Sequence, residues 1–88
     1  MDRKAYDYGY RAGNAAARPG SRLELFIKSM DFRVGYVHGQ AARLGDPDEA
    51  AALRTRLAAE YGIPADRLDA PVPDAAPDRQ DEDDPDND

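Results

Sequence analysis

Two glycines four residues apart, Gly9 and Gly13, stand inside a stretch that otherwise reads as a helix, and they restrict this chain more than any other feature. Each costs about 1 kcal/mol relative to alanine in a helix interior. The compensation open to such a helix is close approach of a second backbone, which a Cβ would block. Advancing about 100° per residue places Ala5, Tyr6, Gly9, Ala12, Gly13 and Ala16 on one arc, with Lys4, Tyr8, Arg11 and Arg18 on the other side. A first helix is therefore expected over about residues 2–17, ending before Pro19-Gly20, which turns the chain.

Ser21 with Glu24 three residues on forms a capping-box pattern, so a second helix is expected from 21. Leu23, Phe26, Ile27, Met30, Val34, Val37, Ala41 and Leu44 recur at spacings of three and four and carry it as one long element to 44. Its other side bears Phe32, Gly35, Tyr36 and Gly39, flanked by Lys28 and Arg43; Gly35 and Gly39 there either admit a neighbouring backbone or bend the helix. Gly45 stops it. Asp46-Pro47-Asp48-Glu49 opens a third helix over about 47–61, with Ala50, Leu53, Leu57 and Tyr61 as its apolar stripe, Gly62 as C-cap and Pro64 forbidding continuation. One further turn would tuck Leu68 against the core. The expected fold is all-α: a small helical hairpin, with helix one antiparallel to helix two, and a short third helix across their seam, in a compact domain of residues 1–68.

Residues 69–88 hold nine acids, four prolines and one arginine, the composition of a disordered acidic tail. Charge is correspondingly divided: residues 1–45 carry eight Lys/Arg against four acids, residues 46–88 four against fourteen. The acidic run lacks the glycine turn and terminal glutamate of a calcium loop, so no metal and no cofactor is expected. Nor is catalysis. His38 is the one histidine, expected in a hydrogen-bonded structural role; Ser21 is used as a cap, and Ser29 and Thr55 have no base at useful spacing. Cysteine is absent and no apolar run approaches the ~20 residues that cross a bilayer, so the expectation is a cytoplasmic protein with no membrane contact and no small-molecule substrate. A homodimer through surplus apolar surface of helix two is compatible with so small a core.

Cations mixed with rings form a candidate partner-binding or nucleic-acid-binding surface: Lys4, Tyr8, Tyr10, Arg11 and Arg18 from helix one, with Lys28, Tyr36 and Arg43 from helix two. The run Gly9-Tyr10-Arg11-Ala12-Gly13, followed by Pro19 and then by Phe32-x-x-Gly35-Tyr36, resembles the ribosome modulation factor family over about residues 5–40. The resemblance implies a non-catalytic protein that docks on the small ribosomal subunit and inhibits translation. Gly9, Gly13 and Gly35 would be packing positions, and Tyr10, Tyr36, Arg11 and Arg18 candidate ribosome contacts. Composition alone also suits a second role, that of a small acidic phage or mobile-element inhibitor of a host nucleic-acid machine, for example an anti-CRISPR protein, blocking a basic nucleic-acid-binding surface.

Overall fold

A computed structural model describes residues 2–70, all-α among the described residues: α1 (Arg3–Ala15), α2 (Arg22–Phe26), α3 (Met30–Ala42), α4 (Pro47–Glu60) and α5 (Ala65–Leu68). The expected acidic tail lies, from residue 71 onward, outside the described residues. Asp2 caps α1, its side chain accepting from the Ala5 amide at 3.2 Å. The Ser21–Glu24 capping box is made in full and starts α2. Asp46 caps α4 and Pro47 opens it. Gly62 takes the left-handed conformation (φ 68°) beyond α4, as a C-terminal glycine should.

The long second helix expected over 21–44 is two helices. Ser29 has extended backbone (φ −65°, ψ 162°) and its side chain accepts from the Phe32 amide at 3.2 Å, making it the N-cap of a new helix. The apolar spacing that runs through the break is partly illusory: Leu23 and Ile27 are 74% and 75% exposed. Phe26, also expected in the core, lies between the guanidiniums of Arg22 and Arg33, at 5.2 and 5.1 Å from its ring centre. Leu44 is likewise exposed.

This break changes the direction of packing. Asp2 meets Asp31, Tyr6 meets His38, and Asn14 meets Gly39 and Arg43, so contacts climb both helices together and α1 runs parallel to α3, not antiparallel as expected. A parallel partner requires the chain to travel back along α1, about 20 Å for thirteen residues, before α3 begins. Residues 16–29, with α2 in their middle, make that return.

α1 and α3 meet backbone to backbone at their glycines. A Cβ placed on Gly9 or Gly13 would lie within 3.0 Å of the carbonyl carbon of Phe32 or Tyr36, and one on Gly35 or Gly39 within 3.0 Å of the backbone of Tyr6 and Tyr10 or of Tyr10 and Asn14. These reciprocal contacts expose an internal repeat. Tyr6-x-x-Gly9-Tyr10-x-x-Gly13-Asn14 and Phe32-x-x-Gly35-Tyr36-x-x-Gly39-Gln40 superimpose in sequence with one constant offset. The matched amides behave alike: Asn14 Nδ2 donates to the Gly39 carbonyl at 3.3 Å, and Gln40 Nε2 donates to the Gly13 carbonyl. The helix pair thus has approximate two-fold symmetry about its crossing.

The rest of the molecule breaks that symmetry. α4 packs on α3, and the core gathers Tyr6, Val34, Tyr36, Val37, Leu57, Tyr61, Ile63 and Leu68. Leu68, on α5, is buried as expected. The Pro19–Gly20 turn is pinned from two helices, because the Gly20 amide donates to the Tyr36 hydroxyl at 2.9 Å and the Tyr61 hydroxyl donates to the Gly20 carbonyl at 2.6 Å. Burial pushes the Tyr61 phenol up to about 12, so it holds this proton at any ordinary pH.

Candidate nucleic-acid interface

The glycine face of α1 is consumed by α3, which leaves its opposite face to solvent. Lys4, Tyr8 and Arg11 fall within about 60° of one another at 100° per residue, and Arg18 follows in the turn after the helix. All four are exposed, Tyr8 at 56%. From residue 3 to residue 22 the chain holds five cations and a single acid, Asp7, whose carboxylate pairs with Arg3 at 3.3 Å. The outward face of α1 is therefore a cation–ring–cation stripe whose one nearby carboxylate among the described residues 3–22 is that of Asp7. Tyr10 lies about 160° around the helix from Tyr8, on the flank that meets α3, 36% exposed and with its ring tilted against Tyr6 at 6.2 Å.

The other three proposed contact residues divide differently. Tyr36, matched to Tyr10 by the internal repeat, is buried: its ring stacks on Phe32 at 6.4 Å and meets Tyr61 edge-on at 6.1 Å. It cannot stack on a base, and the sequence expectation for it is corrected. Arg43 donates to the Asn14 carbonyl at 2.6 Å, closing the C-terminal end of α1, where Gln40 also donates to the Ala16 carbonyl at 2.8 Å. Lys28 sits 5.3 Å from the centre of the Phe32 ring, away from the α1 stripe. Lys4, Tyr8, Arg11 and Arg18 come together on the outward side of α1; Tyr10, Lys28, Tyr36 and Arg43 do not join them.

Two polar clusters fasten the elements around this face. Asp31 accepts from the Asp2 amide at 2.7 Å and from Arg67 at 3.0 Å, and these contacts, the amide first, hold its carboxyl below the usual carboxylate value. His38 lies between Tyr6 and α5: Nε2 is 2.9 Å from the Leu68 carbonyl and Nδ1 is 2.8 Å from the Tyr6 hydroxyl. A carbonyl only accepts, so Nε2 carries the proton and, in the neutral ring, Nδ1 accepts from Tyr6. Burial holds the imidazole pKa below its ordinary value, which favours this neutral form.

Two arrangements here were not evident from residue spacing. One is the Asn14–Gln40 amide pair, whose signal is the internal repeat. The other is a shallow hollow of about 350 Å³ against α4 and α5, floored by Ala51, Ala58 and Ile63 and edged by Arg54, Thr55 and Asp69. Among the described residues no three His, Asp or Glu side chains converge in a metal-binding group, and no helix is long and apolar enough to cross a membrane. Compared with family models, curated proteins and solved structures, the chain matches none.

Proposed function

We propose that this chain is a non-catalytic binding protein that lays the outward face of α1 on RNA of a nucleoprotein particle, the small ribosomal subunit first among the candidates, and inhibits translation by occupying it. The observation that carries the reading is the stripe itself. Lys4 and Arg11 flank an exposed tyrosine on one helix face, and Arg18 extends the charge beyond the helix end. Such cations neutralise phosphates, and a tyrosine ring among them offers a stacking platform for an unpaired base. The Gly9-Tyr10-Arg11-Ala12-Gly13 segment that resembles the ribosome modulation factor family contributes Arg11 to the same face. Rigid pairing of α1 with α3 supports the reading, because a stripe held on a fixed rod loses little entropy on binding.

Cosedimentation with purified small subunits at low salt tests it. The wild-type chain is expected in the ribosomal pellet, and the double substitution Lys4→Ala with Arg11→Ala is expected to remain in the supernatant while keeping its thermal unfolding temperature. Equal pelleting of both proteins would remove the α1 face from consideration. The inhibitor reading draws instead on the eight acids beyond residue 70. It requires that neutralising those acids weaken binding to the target, whereas a phosphate-binding α1 face requires that their loss strengthen it.

A further inference from the structure

Six of the cations in the described residues are engaged within the fold: Arg3 by Asp7, Arg67 by Asp31, Arg43 by the Asn14 carbonyl, Arg33 by the Tyr61 carbonyl, and Arg22 and Lys28 by phenylalanine rings. Of the other five, Lys4, Arg11 and Arg18 stand on or just after α1 and Arg54 and Arg56 on α4, and none has a salt-bridge partner among the described residues. Residues 1–70 are close to balance, eleven Lys and Arg against ten acids, whereas residues 71–88 hold one arginine against eight acids, four of them consecutive from Asp81 to Asp84.

The point of exit brings these two populations within reach. Arg67 is tied to Asp31 at 3.0 Å, and Asp31 is tied to the Asp2 amide at 2.7 Å, so α5 is anchored at the end of α1 that carries Lys4. The chain leaves the described residues three positions later, after Ala70. At about 3.3 Å per residue, Asp81 to Asp84 can stand as far as about 36–46 Å from Ala70. The longest dimension of the folded body is 34 Å. No part of the α1 stripe is out of range, and a tethered segment of this length acts at an effective concentration in the millimolar range.

We propose that the acidic segment, residues 74–88, docks on the outward face of α1 through Lys4, Arg11 and Arg18, and competes there with RNA. The competition rests on the reading of that face as the RNA-contacting surface; the docking itself does not. The segment offers carboxylates where RNA offers phosphates. Binding of RNA then requires displacement of the segment, which makes the protein selective for polyanions dense enough to outbid a tethered one.

The test uses the full chain and a full-length variant with Asp81→Asn, Glu82→Gln, Asp83→Asn and Asp84→Asn. Amide ¹H–¹⁵N spectra of the two at low salt are expected to differ at Lys4, Tyr8, Arg11 and Arg18 and to coincide at Arg54 and Arg56 on α4. The differences should vanish near 0.5 M salt, where the screening length falls to about 4 Å. In parallel, a short fluorescein-labelled oligouridylate is expected to bind the variant about three-fold or more tighter than the wild type at low salt. Spectra that coincide along α1, or that differ equally on α4, overturn the docking. Spectral differences confined to α1, with no RNA bound by either protein, uphold the docking and overturn the RNA reading instead.

Discussion

At the scale of single residues, the glycines of the helix crossing decide most. Alanine at position 13 gains about 1 kcal/mol of helix propensity. Its Cβ would nevertheless collide with the backbone of Tyr36, which has no rotamer by which to yield. Relief requires moving one helix off the other, which loosens the contacts of Gly9, Gly35 and Gly39 as well. Gly13→Leu is therefore expected to cost about 3 kcal/mol or more, read as a large fall in thermal midpoint. Gly45→Ala is the control: nothing lies within 4 Å of the added atom, so its midpoint should stay put. An unchanged midpoint in Gly13→Leu would contradict the packing. His38 makes a second residue-scale prediction. Its folded pKa lies below the unfolded 6.5, so the folded state binds fewer protons. Stability on this account is fully present above pH 6.5 and is lost as pH falls through the depressed folded value, by at most about 1.4 kcal/mol per pH unit. Urea midpoints should decline on acidification from neutral pH, and His38→Gln should flatten that slope; a midpoint that rises toward acid would refute the neutral His38. Asp31 adds a loss of the same sign only below its unfolded value of 3.8. The glycines were legible in the sequence because a missing side chain mid-helix has few uses. Tyr10 and Tyr36 were not distinguishable, since the repeat makes them equivalent and only the distant Tyr61 and Gly20 bury one of the two.

At the scale of elements, the decisive event is the break before Met30. Ser29 was readable as a cap by residue type, and Asp31 as an acid in a first helical turn, yet Phe32 stands where a capping box would place glutamate or glutamine. The apolar spacing from Phe26 to Met30 steps by four across the break, and that periodicity concealed it. Spacing reports which residues share a face if the helix continues; it does not report whether the helix continues. The all-α class, α4 with its proline start and glycine stop, and the turn that buries Leu68 were all legible because each has a local chemical signal. The parallel run of α1 and α3 has none, being set by whether the chain can double back between them. Ser29→Ala removes the side-chain acceptor for the Phe32 amide and should cost about 1 kcal/mol, measured by urea unfolding. A stability equal to wild type, with helicity gained across 27–29, would mean that the cap does not enforce the break.

At the scale of the whole molecule, residues 1–70 are nearly charge-balanced with one side basic, and eight further acids lie beyond residue 70. Net charge near neutral pH is −6, and taken alone it argues against any polyanion as partner. Distribution reverses that conclusion, because phosphates sense charge within a screening length of about 10 Å at moderate salt and not the sum over the chain. Half of the candidate surface was legible for this reason: Lys4, Tyr8 and Arg11 follow from helical periodicity, and Arg18 from its place just past the helix end, before Pro19. The rest depended on what α3 does with Lys28, Tyr36 and Arg43. The prediction at this scale is a salt dependence. If Lys4, Arg11 and Arg18 each neutralise one phosphate of single-stranded RNA, log K should fall against log salt concentration with a slope of about −2, each contact contributing about 0.7. Arg11→Ala should make the slope shallower by about 0.7 and weaken binding to all sequences alike. Fluorescence anisotropy with the same oligouridylate from about 50 to 300 mM salt measures both quantities. A slope near zero in the wild type, or one unaltered in Arg11→Ala, would mean that the stripe does not hold phosphate and that the negative whole governs the choice of partner after all.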